Sequence, residues 1–332
     1  MNIHGIAERA GVSVATVSRV INNNPSVSHT TREKILAVMR EEGYTPNAFA
    51  RGLGLNSMRM VGILCRDVAN LFYGQAVSLL ERGLRAKGYN TILCCSGLEL
   101  ESKKNCLNLL LQKKVDAIIL VGSALIEKSD NSHLNDAAAR VPLFLINSYA
   151  DIPNTYCVLC DEAEAMSANV RHMSQAGIKD ILYLHDMIDW AWAGTQKLNG
   201  IKRGLIDNGI TENPGLIHAV SHGIEPAKER VSRLLENSVN FAGIIASEDI
   251  LAVGAQKALL EHGLNLPIIG FNNSLIAQCV SPALTSVDNM LRTICPLTTD
   301  MLYNTLEGGK APSKVLVAAS LVERETFRRR AE

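Results

Sequence analysis

The chain has 332 residues, a length that is too great for one small domain and indicates two or three. Its 33 Lys/Arg balance its 33 Asp/Glu, so the whole chain has no electrostatic bias towards nucleic acid, yet residues 1–60 alone carry seven basic and four acidic residues. The opening residues lack a signal-peptide core and no run approaches the about 20 apolar residues of a membrane span, so we expect a cytoplasmic protein.

The first 45 residues predict three short helices. The first runs from about Ile6 to Ala10 and stops at a glycine, and Ser13 is a good N-cap for the second. The stretch Thr30–Glu33 reads as a capping box that opens the third. Two helices joined by a tight turn, with a third closing their apolar side, form a helix-turn-helix, whose second helix enters the DNA major groove.

The second helix has a polar face that this arrangement turns towards DNA. Arg19 is the long charged donor on that face and could reach a guanine edge or a phosphate. Thr16, Ser18 and Asn22 are short donors suited to phosphate oxygens. A plain amphipathic surface helix is the alternative, and the caps and the turn argue against it.

The residues of this head resemble those of a known family. The run G11-V-S-V-A-T-V-S-R-V-I-N-N23, with V27-S-x-x-T-R-E-K34 and G43-Y-x-P-N-A-x-A-R51, looks like the head of the lactose/galactose repressor family of bacterial transcription regulators. The resemblance implies that the base-reading positions are Val14, Ala15 and Arg19, and that the phosphate-contacting positions are Thr16, Ser18, Asn22 and Ser26.

Residues 46–60 form the linker between the head, residues 1–45, and the rest of the chain. In the family this segment is a hinge helix that wedges a leucine into the minor groove, and Leu53 holds that place. Gly52 and Gly54 flank it, and each lowers helix stability by roughly 1 kcal/mol against alanine, so we expect a hinge that depends on operator DNA for its order. A plain linker is the alternative.

Residues 61–332 alternate apolar runs with helix-length amphipathic segments, which predicts α/β lobes with buried parallel sheets. The pattern restarts after about residue 160. The family resemblance implies a periplasmic-binding-protein-like core, with lobe 1 at about 61–160 and 291–320 and lobe 2 at about 161–290. Because ligands of such sheets bind at the carboxyl ends of strands, we expect a small effector in the cleft between the lobes, by resemblance a sugar or sugar derivative.

The candidate effector residues of the first lobe follow predicted strands. Phe72 and Tyr73 match the aromatic pair of the family, although packing at a helix start explains them as well. Asn147 comes directly after P-L-F-L-I, where relatives place a polar effector ligand. Asp161 opens the second lobe, and a helix N-cap role explains it almost equally.

The second lobe carries exchanged polar residues. T195-Q-K-L-N-G200 resembles the effector-binding segment of the family, but Lys197 replaces an arginine and cannot form its bidentate contact. Glu248 replaces a common asparagine and is followed by the usual Asp249; alternatively, Ser247 caps a helix whose first turn these carboxylates complement. Asn272 replaces an aspartate. Ring stacking on a sugar or simple packing would explain Trp190, Trp192 and His222.

The sequence argues against an enzyme, because it contains no G-x-S-x-G, no G-x-x-x-x-G-K-[ST] and no H-E-x-x-H motif. We expect no cofactor and no bound metal. One recognition helix reads only a short half-site, so we expect a homodimer on near-palindromic double-stranded operator DNA. The predicted function is a transcriptional regulator, in the first instance a repressor. The alternatives are a sugar receptor with the same core and a regulator controlled by a partner protein.

Overall fold

The computed structural model describes residues 2–21, 24–44, 57–187 and 191–329. The chain divides into two compact units. The smaller contains residues 1–60 with 114–116, and the larger contains residues 61–113 with 117–332. None of the described helices has both the length and the apolar character that crossing a bilayer requires.

The head contains three helices, α1 (Ile3–Ala10), α2 (Val14–Ile21) and α3 (His29–Glu41). The Ser13 hydroxyl accepts the Thr16 N–H at 3.2 Å, which confirms the predicted cap of α2. The capping box predicted at Thr30–Glu33 is wrong: α3 begins earlier, with Ser28 as N-cap accepting the Thr31 N–H at 3.3 Å. Either segment could have capped the helix, and Ser28 has the extended backbone that a cap requires.

A small apolar core joins these helices. Val17 and Val20 of α2 are buried against α1 and α3, and Gly11 closes α1 in the left-handed conformation with φ of 62°. This turn conformation suits glycine because a side chain would be strained there. The buried core residues of the head are Ile6, Ala7, Ala10, Val17, Val20, Ile35 and Met39.

The larger unit is an α/β structure with two six-stranded sheets. Its strands are β1 (Met60–Cys65), β2 (Asn90–Cys95), β3 (Ala117–Val121), β4 (Leu143–Ile146), β5 (Thr155–Cys160), β6 (Ile181–Asp186), β7 (Ile217–Val220), β8 (Gly243–Ala246), β9 (Ile268–Phe271), β10 (Thr285–Asp288), β11 (Lys314–Val317) and β12 (Ser320–Val322). Its helices are α4 (Leu71–Ala86), α5 (Leu100–Gln112), α6 (Ser132–Ala138), α7 (Glu162–Gln175), α8 (Trp192–Asp207), α9 (Ile224–Glu236), α10 (Asp249–Glu261), α11 (Leu275–Cys279) and α12 (Leu291–Leu306), with 3-10 turns at Ser123–Leu125 and Pro214–Leu216.

The two sheets define two lobes. The first sheet has the strand order β11-β5-β4-β3-β1-β2 and the second has the order β12-β10-β9-β8-β6-β7. The apolar run of β3 is wholly buried, as expected for a strand covered by helices on both faces. The predicted fold class is confirmed, with one addition: β12 pairs antiparallel with β10 at the edge of the second sheet.

The chain passes between the lobes three times. It leaves the first sheet after β5, returns after β10, when α12 packs on α4, and leaves again between β11 and β12. The sequence did not indicate the last crossing, because β12 has only three residues and half-exposed side chains. These crossings bring the carboxyl ends of both sheets to the same cleft.

Candidate DNA-binding face and effector cleft

The predicted DNA-contacting residues lie on one side of the head. Ala15 and Arg19 of α2 are exposed, whereas Val14, Thr16 and Ser18 are partly exposed beside them. Their helix is oriented by Val17 and Val20, which the head core buries on the opposite face. The 3.6-residue period therefore leaves a polar face available to solvent.

The loop after α2 carries the exposed Ser26 and is held by a residue that the sequence analysis missed. The Arg32 guanidinium of α3 donates to the carbonyl oxygens of Val20 at 3.4 Å and Asn24 at 2.6 Å. A surface arginine in an amphipathic helix gives no sequence signal for such a role. Part of the prediction lies outside the described residues: Asn22, Leu53, Trp190 and residues 46–56 of the hinge segment.

A cleft lies between the two lobes at the carboxyl ends of their central strands. Six of the predicted effector residues line it: Phe72, Tyr73, Asn147, Lys197, Glu248 and Asn272. Further lining residues, which the sequence analysis missed, include Arg66, Asn70, Ser123, Glu162, His185, Asp186 and Ser247. Two of them, Arg66 and Ser247, follow a strand directly, His185 and Asp186 end one, and Ser123 and Glu162 come two residues after one, so the carboxyl ends of the strands were the available signal.

The wall from lobe 1 is formed by the start of α4 and by the turn after β3. Asn70 caps α4, because its Oδ1 accepts the Phe72 N–H at 2.9 Å. The rings of Phe72 and Tyr73 meet edge to face with centroids 5.1 Å apart. Gly122, with φ of 89°, approaches Tyr73 so closely that a Cβ there would overlap the ring. Arg66 adds a cation to this wall.

The wall from lobe 2 contains a buried ion pair. Lys197 of α8 lies with Nζ 3.7 Å from Glu162 Oε1 and donates to the Ser247 carbonyl oxygen at 3.0 Å. Gly200 makes this possible, because a Cβ there would overlap the Ala163 carbonyl oxygen and push α8 away from α7. Lys197 therefore has partners within the protein. Loss of water raises the pKa of Glu162, and the lysine opposes that shift.

His222 lies beside the cleft, in the loop after β7, and faces two carboxylates. Its Nδ1 is 3.3 Å from Asp186 Oδ2 and 3.4 Å from Glu248 Oε2. The adjacent Asp186 carboxylate raises the pKa of His222, and Glu248 adds to the effect. Burial raises the pKa of the Glu248 carboxyl. Together these groups form an acidic cluster with a histidine at its centre.

The protonation of this histidine follows from its contact with lobe 1. Asn70 Nδ2 lies 3.1 Å from His222 Nε2, and the Asn70 amide is oriented by the bond from Phe72 to its Oδ1. Because an amide nitrogen only donates, Nε2 must accept and the proton of the neutral ring lies on Nδ1. The ligand atoms of Asp186, His222 and Glu248 are close enough together for a cation. A metal bound at Nδ1 would require the ring proton to lie on Nε2, where it would meet the Asn70 N–H group, so the ring does not fit a metal site.

Other predicted residues have structural partners. Asp161 caps α7, accepting the Glu164 N–H at 3.1 Å. Asp249 is buried and accepts from the Ser274 N–H and hydroxyl at 2.7 Å and from the Ser286 hydroxyl at 2.5 Å. Neither carboxylate lines the main cleft.

Three further predictions are qualified by the structure. Ser247 does not cap α10: the N-cap residue is Glu248, and the Ser247 hydroxyl accepts the Asp186 N–H at 3.3 Å. Trp192 packs on Tyr149, with ring centroids 5.2 Å apart, and is not among the residues that line the cleft. Asn147 lines the cleft but also holds the Cys160 N–H at 2.8 Å.

A capped helix-turn-helix head and a two-lobed core with an interlobe cleft together define an effector-controlled DNA-binding regulator. Comparisons with known families agree. Residues 2–47 match the family described as bacterial regulatory proteins, lacI family. Residues 170–327 match the periplasmic binding protein-like domain.

Relatives extend this similarity over the whole chain. An HTH-type transcriptional regulator of Lachnoclostridium phytofermentans is 42% identical over 332 residues, covering 98% of this chain and 99% of the relative. Catabolite control protein A of Priestia megaterium is 32% identical, covering 86% and 87% of the two chains. The chain therefore belongs to the lacI family of bacterial regulatory proteins. It is a helix-turn-helix transcription regulator, and the alternative of a sugar receptor without a DNA-binding head does not apply.

Solved structures show the same fold. The lac repressor dimer bound to operator and the anti-inducer ONPF has a TM-score of 0.89 at 23% identity, with 98% of each chain covered. The complex of the regulator CelR with cellobiose has a TM-score of 0.73 at 21% identity, covering 98% of this chain and 100% of that one.

Proposed function

We propose that the protein is a cytoplasmic, homodimeric repressor that binds near-palindromic operator DNA and releases or strengthens that binding when a small carbohydrate occupies the cleft. One observation carries the proposal: the same chain combines an exposed polar face on α2 with a cleft lined by polar groups from both lobes. Binding at one site then alters affinity at the other, a coupling typically worth about 1–3 kcal/mol and reciprocal between the sites.

The charges of the cleft favour a neutral, hydroxyl-rich effector over a sugar phosphate. Lys197 is already paired with Glu162. Among the described residues that line the cleft, this leaves Arg66 as the cation with no charged partner at hydrogen-bond distance. Asp186 and Glu248 accept hydrogen bonds and would repel a phosphate. The regulator CelR forms a complex with cellobiose, a neutral, hydroxyl-rich sugar, and cellobiose is therefore the first probe.

The homodimer follows from how a recognition helix works. One helix reads few base pairs, so two heads related by a two-fold axis are needed for a specific operator. The core offers apolar surface for a second copy: Leu71 and Leu275, from different lobes, are 46% and 66% exposed and line one surface groove. The lac repressor that shares this fold is a dimer on its operator.

Operator binding tests the assignment of α2. Near-palindromic DNA from the region upstream of the gene would be labelled, and binding of the full-length protein measured by fluorescence anisotropy with and without cellobiose. We expect Arg19→Ala to weaken operator binding at least about fivefold, since a good base contact is worth about 1–3 kcal/mol. Arg40→Ala, at the exposed end of α3, removes the same charge and is the matched control. Equal affinities for the two variants would contradict the assignment.

The hinge is tested in the same assay. We expect Leu53→Ala to weaken operator binding while leaving the thermal unfolding midpoint unchanged, because a minor-groove wedge acts only on DNA. An unchanged operator affinity would remove Leu53 from the proposed DNA-binding set. The effector is tested by measuring operator binding in the presence of a panel of neutral mono- and disaccharides. A sugar that changes the operator affinity of the wild type but not that of Glu248→Gln would support the cleft as the effector site.

A further inference from the structure

Two cysteines lie side by side at the carboxyl ends of β1 and β2. Cys65 ends β1, and Cys95 ends β2, the neighbouring strand at the edge of the first sheet. Their Sγ atoms are 3.7 Å apart. The Ser96 N–H donates to the Cys65 carbonyl oxygen at 3.0 Å, so the main chains are hydrogen-bonded at the same point.

This arrangement suits a disulfide. Neighbouring strands lie about 4.7–4.9 Å apart, within the about 4.4–6.8 Å that separates the Cα atoms of bonded cysteines. The sulfur atoms would have to approach from 3.7 Å to about 2.05 Å. Because the Cys95 side chain is exposed, it has room to rotate towards Cys65. The main chain already has the required spacing, and side-chain rotation closes the remaining gap.

The two thiols differ in their surroundings. Cys95 is exposed, whereas Cys65 is buried in the core of lobe 1. Burial, with a smaller contribution from Cys95, raises the pKa of the Cys65 thiol to about 12, so this group stays protonated at neutral pH. Because the thiolate is the form that attacks an oxidant, an oxidant reacts first at Cys95.

We propose that Cys65 and Cys95 form a reversible disulfide when hydrogen peroxide reaches the protein. The Cys95 thiolate attacks one peroxide oxygen, the O–O bond breaks, and the other oxygen leaves as hydroxide, which takes up the proton that Cys95 lost and becomes water. The Cys65 sulfur then attacks the sulfenic acid on Cys95: the S–S bond forms, the S–O bond breaks, and the oxygen leaves as a second water with the Cys65 proton. Two electrons pass from the thiols to the peroxide. Small thiols reverse the reaction by exchange, as is usual for cytosolic disulfides that respond to oxidants.

The disulfide would fix an edge of the sheet that borders the cleft. Arg66, which lines the cleft, directly follows Cys65, and its carbonyl oxygen accepts the Gly97 N–H at 3.0 Å. Since β2 is the edge strand and pairs with β1 on one side, its end can separate from β1 by local opening. A covalent bond at this point keeps the Ser96 and Gly97 hydrogen bonds closed. Oxidation therefore acts on the lobe 1 wall without any effector.

Counting thiols tests the reaction. The reduced full-length protein would be treated with hydrogen peroxide and denatured, and its remaining thiols counted and mapped by mass spectrometry of peptides. Each chain has eight cysteines. We expect peroxide to remove two thiols, dithiothreitol to restore both, and one crosslinked peptide to join Cys65 to Cys95. A bond from Cys95 to Cys94 or Cys106 would overturn the proposal, as would chains joined to each other on a non-reducing gel.

Serine variants assign the two roles. In Cys65→Ser the oxidised Cys95 has no partner, so we expect a sulfenic acid that dimedone traps. In Cys95→Ser we expect no crosslink and no trapped sulfenic acid at Cys65. Cys279→Ser removes another exposed thiol and is the matched control, which should form the crosslink as the wild type does. Dimedone labelling of Cys65 in Cys95→Ser, or loss of the crosslink in Cys279→Ser, would contradict these roles.

Amide hydrogen exchange measures the effect on the edge of the sheet. We expect the Ser96 and Gly97 amides to exchange more slowly in the oxidised wild type than in the reduced protein, with no change when Cys65→Ser is treated in the same way. Equal exchange in the oxidised and reduced wild type would overturn the effect on the lobe 1 wall. None of these measurements uses sugar or DNA, so their failure is distinct from a failure of the proposed effector or operator site.

Discussion

The two walls of the cleft are built on different principles. The wall from lobe 1 is held by apolar packing: the rings of Phe72 and Tyr73 meet edge to face, and Gly122, which has no side chain, allows close contact with Tyr73. The lobe 2 wall concentrates charge, with Glu162 and Lys197 paired inside it. Apolar packing is non-directional, whereas buried charges require exact partners. Lobe 1 therefore supplies the shape of the site, and lobe 2 supplies its chemical selectivity together with the greater sensitivity to mutation.

The largest expected effect lies in the lobe 2 wall. Lys197→Met leaves Glu162 buried without its partner, and removal of one member of a buried pair typically costs about 3–5 kcal/mol. We expect the free energy of unfolding in urea at pH 7.5 to fall by about 3 kcal/mol. The double variant Lys197→Met with Glu162→Leu removes both charges and should recover most of it.

This pair of variants separates charge from volume. Methionine resembles the lysine stem in size, so a loss of stability restored by the second substitution is electrostatic. If Lys197→Met changes the free energy of unfolding by less than 1 kcal/mol, then Glu162 is stabilised by other groups. The wall from lobe 2 would then not be the more sensitive of the two to mutation.

A second prediction concerns the buried carboxylate beneath the lobe 2 wall. Burial raises the pKa of Asp249 to about 6 from 3.8, against the opposing effect of its bonds from Ser286 and Ser274. The unfolded chain loses this proton near pH 4 and the folded chain only near pH 6. Stability therefore falls as pH rises between these values, by about 3 kcal/mol for a shift of two units, and is constant above them.

Asp249→Asn removes this dependence because an amide does not titrate there. We expect the difference in free energy of unfolding between the two proteins to shift by about 3 kcal/mol in favour of the variant between pH 4 and pH 6.5, as measured by urea denaturation across that range. Asp180→Asn, at an exposed turn before β6, is the matched control. Parallel pH profiles for the wild type and Asp249→Asn would show that the carboxyl titrates normally in the folded protein.

The two walls also differ in how well their residues could be predicted from the sequence. Asn70, Phe72 and Tyr73 are consecutive or nearly so, and a single helix start places them together. In contrast, Asp186, His222 and Glu248 come from three separate segments of lobe 2. Their meeting depends on strand order, and β6 pairs with both β7 and β8, which no local pattern indicates.

Local signals were nevertheless ambiguous where two caps compete. Ser13 was identified because the turn before α2 offers no other cap at the same spacing. The start of α3 was misplaced because Ser28 and Thr30 both precede a suitable run, and the helix uses Ser28 as its N-cap. Glu162 was missed beside Asp161 for a similar reason, since two adjacent carboxylates at a helix start differ only in which one faces the cleft.

The smallest expected effect concerns a bond between the walls. The Ser123 hydroxyl of lobe 1 accepts the Ala193 N–H at the start of α8 in lobe 2, at 3.2 Å. A neutral hydrogen bond contributes about 0.5–1.5 kcal/mol, and Ser123→Ala should lower the free energy of unfolding by about 1 kcal/mol. Ser102→Ala, on α5 of the same lobe, is the control and should change it by less than about 0.5 kcal/mol.

The Ser123 variant also shows whether the lobes unfold together. The hydrogen bond from Ala193 to Ser123 spans the cleft, so its loss shifts the whole unfolding transition only when both lobes unfold in one step. The Lys197–Glu162 pair belongs to lobe 2 alone. A shift of the whole denaturation curve in both variants means that the walls share one cooperative unit. If Lys197→Met moves only part of the curve and Ser123→Ala moves none of it, the lobes are independent. The cleft would then gain its rigidity from the effector and not from the protein.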